Sequence, residues 1–312
     1  MSVIGTRGPD AVRSRRNRSV KRTSPARAAR LFAARRIVGR VLFYLLLSAA
    51  AFVAFVPFLY MAANSLKTLG ETITRVSANP FSPQFWPKIP QWLNFVQAFH
   101  DENMGHYLAN SVVISATTLA GVLVISSLAA YAFARLRFAG SRLIFSILVA
   151  TLMIPDTVLL IPNFLVVARL GWLNRLPALT VPFMGSAFFI FLLRQFFKQI
   201  PASLIESARM EGASHLRILF RIVVPLSGAP LFTAGFLVFS DSWNALQWPL
   251  VVTQTDRWRP IAVGLAKFIS EAGPYTQLRM AGAIIALLPT VLLFVAAQRQ
   301  ITEAIARTGI KS

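Results

Sequence analysis

The sequence lacks cysteine and has only 11 acidic residues among 312 positions. Without cysteine the chain forms no disulfide, no thiolate metal site and no cysteine nucleophile. The three histidines, His100, His106 and His215, do not have the spacing of a metal site, and no GxxxxGK[ST] phosphate-binding loop occurs. Charged residues make up 14% of the chain, whereas a typical soluble domain has about 25%. These absences exclude a P-loop nucleotide hydrolase and leave few side chains for acid–base catalysis.

Apolar residues are abundant, at 55% of the chain, and they come in long blocks. Val41–Ala63 and Leu108–Ala134 contain 23 and 27 residues without a charge, and a helix needs roughly 20 such residues to cross a bilayer. The blocks predict an all-α polytopic integral membrane protein and disfavour the alternative, a soluble all-α protein with a very apolar core. About six transmembrane helices are predicted, at approximately 41–63, 108–134, 143–168, 177–197, 231–252 and 281–298.

Basic residues dominate the charge, with 32 Lys and Arg and a net charge of +21. Twelve of them precede residue 41, which predicts a disordered Arg-rich cytoplasmic tail over residues 1–36 and a transmembrane domain over 37–312. In a soluble protein this charge would favour nucleic acid, but beside apolar blocks it favours membrane lipid as the partner. Lys and Arg gather on the cytoplasmic side of membrane proteins. Their distribution therefore predicts that both termini are cytoplasmic, although outside the tail the bias is weak.

The segment Pro201–Pro225 (PASLIESARMEGASHLRILFRIVVP) is too polar to span a membrane and too regular for an unstructured loop. Its apolar residues recur at helical spacing on either side of Gly212, which predicts a tight turn between two short helices. Ser214 is placed to cap the second helix. An amphipathic helix–turn–helix on the cytoplasmic face predicts a docking element for a partner protein.

This segment resembles the EAA loop of the membrane subunits of ABC importers, whose pattern is E-A-A, three residues, G, nine residues, then I-x-L-P. All the spacings are kept, and the two departures are Ser207 in place of Ala and Val224 in place of Leu. The resemblance implies that the loop couples this chain to separate ATPase subunits. The coupling residues that it implies are Glu206, Ser207, Ala208, Gly212, Ala213, Ile222 and Pro225.

Further segments are similar to the carbohydrate-uptake branch of this family, and most similar to the second permease of a maltose-type heterodimeric pair. They are Asn64–Lys67, Ala129–Phe138, Met153–Pro155, Gly171–Asn174, Trp243–Asn244, Trp248–Leu250 and Gly309–Lys311. The resemblance implies a bacterial inner membrane permease subunit that binds no cofactor, with ATP used by its partners. Those partners would be a second permease subunit, two cytoplasmic ATPase subunits and an extracytoplasmic solute-binding protein.

Asp241 lies in the middle of an apolar block, next to Trp243 and Asn244. A carboxylate at that depth is costly and normally faces a cavity, a partner or a polar bundle interior. Carboxylate, amide and aromatic ring are groups that hold a sugar, so these three residues are candidates for the translocation pathway. A hydrogen-bonded knot between helices is the structural alternative. Asp156, directly after Pro155, is more typical of a residue that stabilises a kink.

Three other functions remain to be weighed. An ABC permease for another solute, such as glycerol phosphate, would share the loop pattern. A membrane-embedded transferase would need Asp241 or Asp156 as a catalytic group within a cluster of acidic or histidine side chains, and the acidic residues are not paired. An ion-coupled transporter would show inverted internal repeats, which the sequence lacks.

Overall fold

The computed structural model describes residues 25–74, 77–101, 103–271 and 275–309 and contains helices and connecting segments but no strand within those ranges. The first six α-helices are α1 Pro25–Ser65, α2 Leu69–Thr74, α3 Leu93–His100, α4 Met104–Arg135, α5 Ser141–Ala150 and α6 Asp156–Arg169. The next five are α7 Leu176–Thr180, α8 Ala187–Gln199, α9 Ala202–Met210, α10 His215–Ile218 and α11 Val224–Leu226. The last four are α12 Gly228–Asn244, α13 Gln247–Val252, α14 Ile261–Glu271 and α15 Thr276–Gly309.

Three stretches of helix are long and apolar enough to cross a membrane by themselves: Ile37–Ser65, Met104–Arg135 and Thr276–Ala296. Three bent pairs meet the same criteria of length and composition only when each pair is counted together. The total is therefore three spans, or up to six if each bent pair is one span.

The chain divides into two compact units, residues 1–56 and 57–312, with the division inside α1. In the described part of the first unit the helix begins at Pro25, so residues 25–36 are helical rather than disordered as the sequence analysis expected. Their sequence, PARAARLFAARR, is rich in the strong helix formers Ala, Arg and Leu. The side chains of residues 37–55 are all exposed, as in a helix that is apolar on every side and lies in lipid. The rest of the predicted tail, residues 1–24, lies outside the described residues.

Proline explains one of these bends and one further break in a predicted span. The predicted third span consists of Ser141–Met153 and Asp156–Arg169, bent by 105°. Pro155 forces the preceding residue, Ile154, out of the helical region (ψ 117°). The predicted fifth span is interrupted at Ala245, where the backbone becomes extended. Pro249 stands four residues later, and a proline ring clashes with the carbonyl of residue i−4 in a continuous helix.

The second unit packs around α4, whose buried side chains belong to three apolar clusters. The first cluster joins α4, α8 and α12 to the segment 202–224. A second cluster includes Ile114, Val167, Leu179 and Trp248. A third cluster joins Met104 and Tyr107 to Trp243, Ile261 and Phe268. One long helix thus contributes to every cluster, which makes α4 the element that relates both ends of the bundle.

The segment after α1 is held by side chains that bind backbone carbonyls. Lys67 is buried, and its ammonium donates a hydrogen bond to the carbonyl of Gln84 at 3.0 Å. The amide of Asn94 donates to the carbonyls of Ser65 (2.7 Å) and Lys67 (2.9 Å). These bonds fix the proline-rich loop 80–90 and the start of α3 against the end of α1.

We predict that the loop 80–90 loosens in acid, because the carboxylate of Glu71 accepts hydrogen bonds from the backbone N–H of Lys88 (3.0 Å) and Thr68 (3.1 Å). Partial desolvation opposes ionisation, but these bonds and the Lys67 ammonium outweigh it, so the pKa of Glu71 falls below its ordinary 4.5. A depressed carboxyl pKa stabilises the fold above the unfolded-state value, and this contribution is lost as pH falls through the folded-state value. Hydrogen-exchange protection at Lys88, corrected for the intrinsic rate, should therefore decline below about pH 4.5.

The control is Glu71→Gln, which keeps an oxygen acceptor but does not titrate. Its protection at Lys88 should be independent of pH over the same range. An equal decline in the variant and in the wild type would contradict the role of Glu71.

Candidate functional site

Residues 201–226 form the helix–turn–helix that the sequence predicted. The first helix, α9, ends in a Schellman motif, in which the N–H of Gly212 bonds the carbonyl of Arg209 (2.9 Å) and the N–H of Ala213 bonds the carbonyl of Ala208 (3.0 Å). Gly212 takes a φ of +81°, a conformation that costs other residues energy because of their Cβ. Ser214 then caps α10 by accepting the N–H of Arg217 (3.4 Å), so the predicted turn and cap are both present.

The second half of the segment is helical but not uniformly α-helical. After α10 the chain forms a π-helical turn, Leu219–Val223, before α11. Pro225 has no N–H to donate to the carbonyl of Arg221, and its ring would clash with that carbonyl in an α-helix. The wider π geometry, in which the N–H of Val224 bonds the carbonyl of Leu219, accommodates this proline.

One face of the loop belongs to the apolar core. Ile205, Ala208, Ile218, Leu219 and Val223 are buried. They lie in a cluster with residues of α4, α8 and α12, including Val122, Tyr131, Leu193, Phe197 and Val238. The loop is therefore packed onto the bundle as part of it and does not hang from it as a flexible connector.

Outside this core the loop exposes large apolar side chains together with charged ones, such as Arg209 and Glu211. Met210, beside the turn, is 89% exposed, Leu216 is 59% exposed and Leu204 is 44% exposed. Glu206 and Gly212 are exposed between them, and a Cβ at Gly212 would meet no atom within 4 Å. Several large apolar side chains exposed in one short segment are typical of a surface that another protein covers.

The structure separates the seven predicted coupling residues by role. Ala208, Gly212 and Ala213 build the Schellman motif. Glu206 and Ser207 are exposed, and the hydroxyl of Ser207 donates to the carbonyl of Leu204 (3.2 Å). Ile222 is half-buried against the core, and Pro225 is exposed at the end of the π turn. Within this group, Glu206 is the residue that offers a charge to a partner.

The three predicted pathway residues lie at the end of α12 but differ in their exposure. Asp241 and Asn244 are exposed, and the amide of Asn244 donates to the carbonyl of Ser240 (2.8 Å). Trp243 is only 2% exposed, stacks on Phe239 and donates its indole N–H to the carbonyl of Ala286 (3.1 Å). Its ring therefore has no face open to a solute, and the structural alternative, packing between helices, describes this residue.

Sequence reasoning missed a set of polar contacts between α4 and the loop. Arg135 donates to the carbonyls of Phe197 (2.5 Å) and Ile200, and the hydroxyl of Tyr131 lies 3.2 Å from Nδ1 of His215. Tyr131 and Arg135 lie in the segment Ala129–Phe138, which the family resemblance singled out without a role. A basic residue at the end of an apolar run is also typical of an ordinary charge at the membrane interface. The sequence alone therefore did not reveal the partners of Arg135.

At the other end of the bundle, Asn174 and α4 hold the segment before α14. The side-chain oxygen of Asn174 accepts the N–H groups of Gln254 (2.6 Å) and Thr255 (2.9 Å). Asn110 donates to the carbonyls of Arg257 (3.1 Å) and Arg259 (3.0 Å). Within the described ranges no three His, Cys, Asp or Glu side chains are grouped to hold a metal ion. This end thus presents a fixed backbone surface without a metal centre in those ranges.

Comparison with known proteins adds to this geometry. Residues 122–307 match the family described as binding-protein-dependent transport system inner membrane component. The lactose transport system permease protein LacG of Rhizobium radiobacter is 32% identical over 269 residues, covering 86% of this chain and 96% of that protein. The sn-glycerol-3-phosphate transport system permease protein UgpE of Yersinia enterocolitica is 34% identical over 219 residues, covering 70% and 78%.

One solved structure shares the fold. It is a chain of a bacterial ABC transporter involved in the import of the acidic polysaccharide alginate, with a TM-score of 0.75 and 24% identity over 85% of this chain and 97% of that chain. Together with the family match, this likeness confirms the predicted fold class, an all-α polytopic membrane protein.

We predict that Trp243 matters for stability through its buried ring and its hydrogen bond to Ala286. Trp243→Phe should lower the free energy of unfolding by about 1–2 kcal/mol, since a hydrogen bond contributes about 1 kcal/mol and apolar contact is also lost. Trp92→Phe is the matched control at a tryptophan that is 69% exposed, and its effect should stay within about 0.5 kcal/mol. Denaturation of the purified protein in detergent measures both, and equal effects would contradict the packing role.

Proposed function

The chain belongs to the family of inner membrane components of binding-protein-dependent transport systems, and from this membership we propose that it carries a carbohydrate through the membrane and couples that movement to partner ATPases through residues 201–226. As a member of this family it is a permease subunit of an ABC importer, as the loop pattern predicted. Such subunits are not themselves enzymes, so the transferase alternative is set aside.

The exposed face of the loop is the observation that carries the coupling proposal. Met210, Leu204 and Leu216 present apolar surface around an open turn, while the opposite face is fixed in the bundle core. A partner that covers the exposed face therefore moves the loop as a rigid unit and not as a flexible segment. Glu206, exposed on α9, offers a negative charge to a basic residue of that partner. ATP is bound and hydrolysed by the partner, and this chain contributes no cofactor site.

The remaining partners follow from the family. We infer a second permease subunit that completes the pathway, two ATPase subunits that each dock on one such loop, and an extracytoplasmic solute-binding protein that delivers the solute. The chain is an inner membrane component, and the excess of Lys and Arg in segments 1–40, 134–142, 194–226 and 298–312 supports cytoplasmic termini. The surface formed by Asn174 and residues 253–259 is then on the outer side, where the solute-binding protein docks.

The solute itself is proposed to be an uncharged carbohydrate. LacG, a permease for lactose, supports a sugar, whereas UgpE, a permease for glycerol 3-phosphate, supports the alternative of an anionic solute. Asp241 and Asn244 are exposed three residues apart at the end of α12. A carboxylate beside a pathway disfavours an anion and can accept hydrogen bonds from sugar hydroxyls. Asp241 and Asn244 form the polar surface that we propose for the pathway.

Gly212 provides the test of the coupling loop. We predict that Gly212→Leu lowers both solute uptake and co-purification of the ATPase by about tenfold, equivalent to ~1.4 kcal/mol of binding free energy. The leucine side chain would project into the open space beside the turn that we propose the ATPase occupies. Uptake by cells and the ATPase recovered with the tagged chain, each per amount of chain in the membrane, are the two measurements.

The matched control is Gly140→Leu. Gly140 has a φ of +77° and a nearly open Cβ position, so leucine there carries the same backbone strain at a turn on the same predicted face of the membrane. Uptake and co-purification should be retained in this variant. If the two variants behave alike, backbone strain explains the loss and the docking site is elsewhere.

A further inference from the structure

The cytoplasmic end of α4 carries two polar side chains, Tyr131 and Arg135, one helical turn apart and on one face of the helix. Both reach the coupling loop, residues 201–226, or the residues that lead into it. They add hydrogen bonds to the apolar contacts between α4 and the loop, and Arg194 of α8 makes a further one, to the carbonyl of Phe133 of α4 (3.1 Å).

Arg135 binds the place where the loop begins. Its Nη2 donates to the carbonyls of Phe197 and Ile200, at the end of α8. A helix leaves its last carbonyls without partners, and Pro201 has no N–H with which to continue the helix. The positive guanidinium also complements the negative end of the α8 dipole. Arg135 therefore fixes the exit of α8, from which α9 departs.

Tyr131 binds the place where the second half of the loop begins. Its hydroxyl lies 3.2 Å from Nδ1 of His215, the first residue of α10. The tyrosine ring is 4% exposed and belongs to the core cluster. The two contacts therefore bracket α9 and the Gly212 turn, one before the first helix and one at the start of the second.

The chemistry of Arg135 argues for a purpose beyond packing. Its Nε is buried and has no hydrogen-bond partner among the described residues, and its Nη2 binds two backbone carbonyls. The side chain is half-buried, and taking a guanidinium partly out of water costs more than placing an apolar side chain of similar size there. The guanidinium fixes the orientation of α4 relative to the end of α8, because hydrogen bonds weaken steeply when their angle changes while apolar contacts tolerate sliding.

We propose that Tyr131 and Arg135 are positioning residues that transmit displacement of the coupling loop to α4. The proposal rests on the proposed function of the loop and assigns its mechanical connection to the bundle. When a bound ATPase pulls on the exposed face of the loop, the two contacts make α4 follow instead of letting the loop slide over its apolar neighbours. Because α4 contributes to all three apolar clusters, its displacement reaches the opposite end of the bundle.

The test uses the complete complex in proteoliposomes, with the permease partner, the ATPases and the solute-binding protein. The measured quantity is solute taken up per ATP hydrolysed. Arg135→Met keeps the length of the side chain and removes its donors, and Tyr131→Phe keeps the buried ring and removes the hydroxyl. Arg137→Met is the control, because Arg137 is exposed two residues further along and its loss changes the charge at the same end of the helix.

Both variants should still bind ATPase and hydrolyse ATP. Uptake per ATP should fall about fivefold in Tyr131→Phe, the order of effect expected for one lost hydrogen bond, and at least as much in Arg135→Met, which loses two. Arg137→Met should match the wild type, and Arg135→Lys, which keeps one charged donor, should restore part of the coupling. A purely structural role would lower thermal stability and the amount of complex but leave uptake per ATP unchanged, and that result overturns the proposal.

If Arg135→Met does not assemble, Tyr131→Phe decides: normal uptake per ATP in that variant overturns the proposal, and a fall supports it. Failure of the proposed function is distinguishable from failure of this inference. If the proposed function is wrong, the wild-type chain itself will neither retain ATPase nor take up solute.

Discussion

The rest of the structure depends on the apolar core that the coupling loop shares with the bundle. Burial of each large side chain on the inner face of the loop, such as Ile218, Leu219 or Val223, contributes about 1.5–3 kcal/mol, whereas a single hydrogen bond contributes about 0.5–1.5 kcal/mol. The core therefore holds the loop in place, and the hydrogen bonds determine its orientation. A loop held in this way moves as one body with the helices around it, which is the property that a coupling element needs.

Backbone chemistry determines much of the remaining architecture. Within a bilayer every N–H and C=O needs a partner, so the spans are helical, and each departure from the α-helix requires a local cause. Pro155 accounts for the bend before α6, Pro249 for the interruption at Ala245 and Pro225 for the π turn. Asp156 directly follows the first of these breaks, and Asp241 and Asn244 precede the second. Breaks in helices at membrane depth are where transporters commonly expose polar backbone and side chains to a solute.

The sequence predicted the fold class because long apolar blocks are compatible with few structures other than membrane-spanning helices. It predicted the Gly212 turn and the Ser214 cap because local backbone chemistry specifies both. It did not predict that α1 begins as early as Pro25, since a run of arginines resembles a disordered tail even when its intervening residues favour helix. The sequence also did not predict that Trp243 is buried, because helical periodicity shows which side chains share a face but not which neighbouring element covers that face. The partners of Arg135 and Tyr131 lie more than 60 residues away in sequence, and only the folded chain brings them together.

The most direct measurement of the central claim uses the absence of cysteine in the chain. A single cysteine at Met210, 89% exposed in the coupling loop, is compared with one at Phe81, 81% exposed in the loop 80–90 between α2 and α3. We predict that Met210→Cys cross-links to the ATPase and reacts with a membrane-impermeant maleimide only after the cells are opened. Phe81→Cys should react from outside and form no such cross-link. Labelling of Met210→Cys in intact cells, or a cross-link to the ATPase from Phe81→Cys alone, would contradict the account.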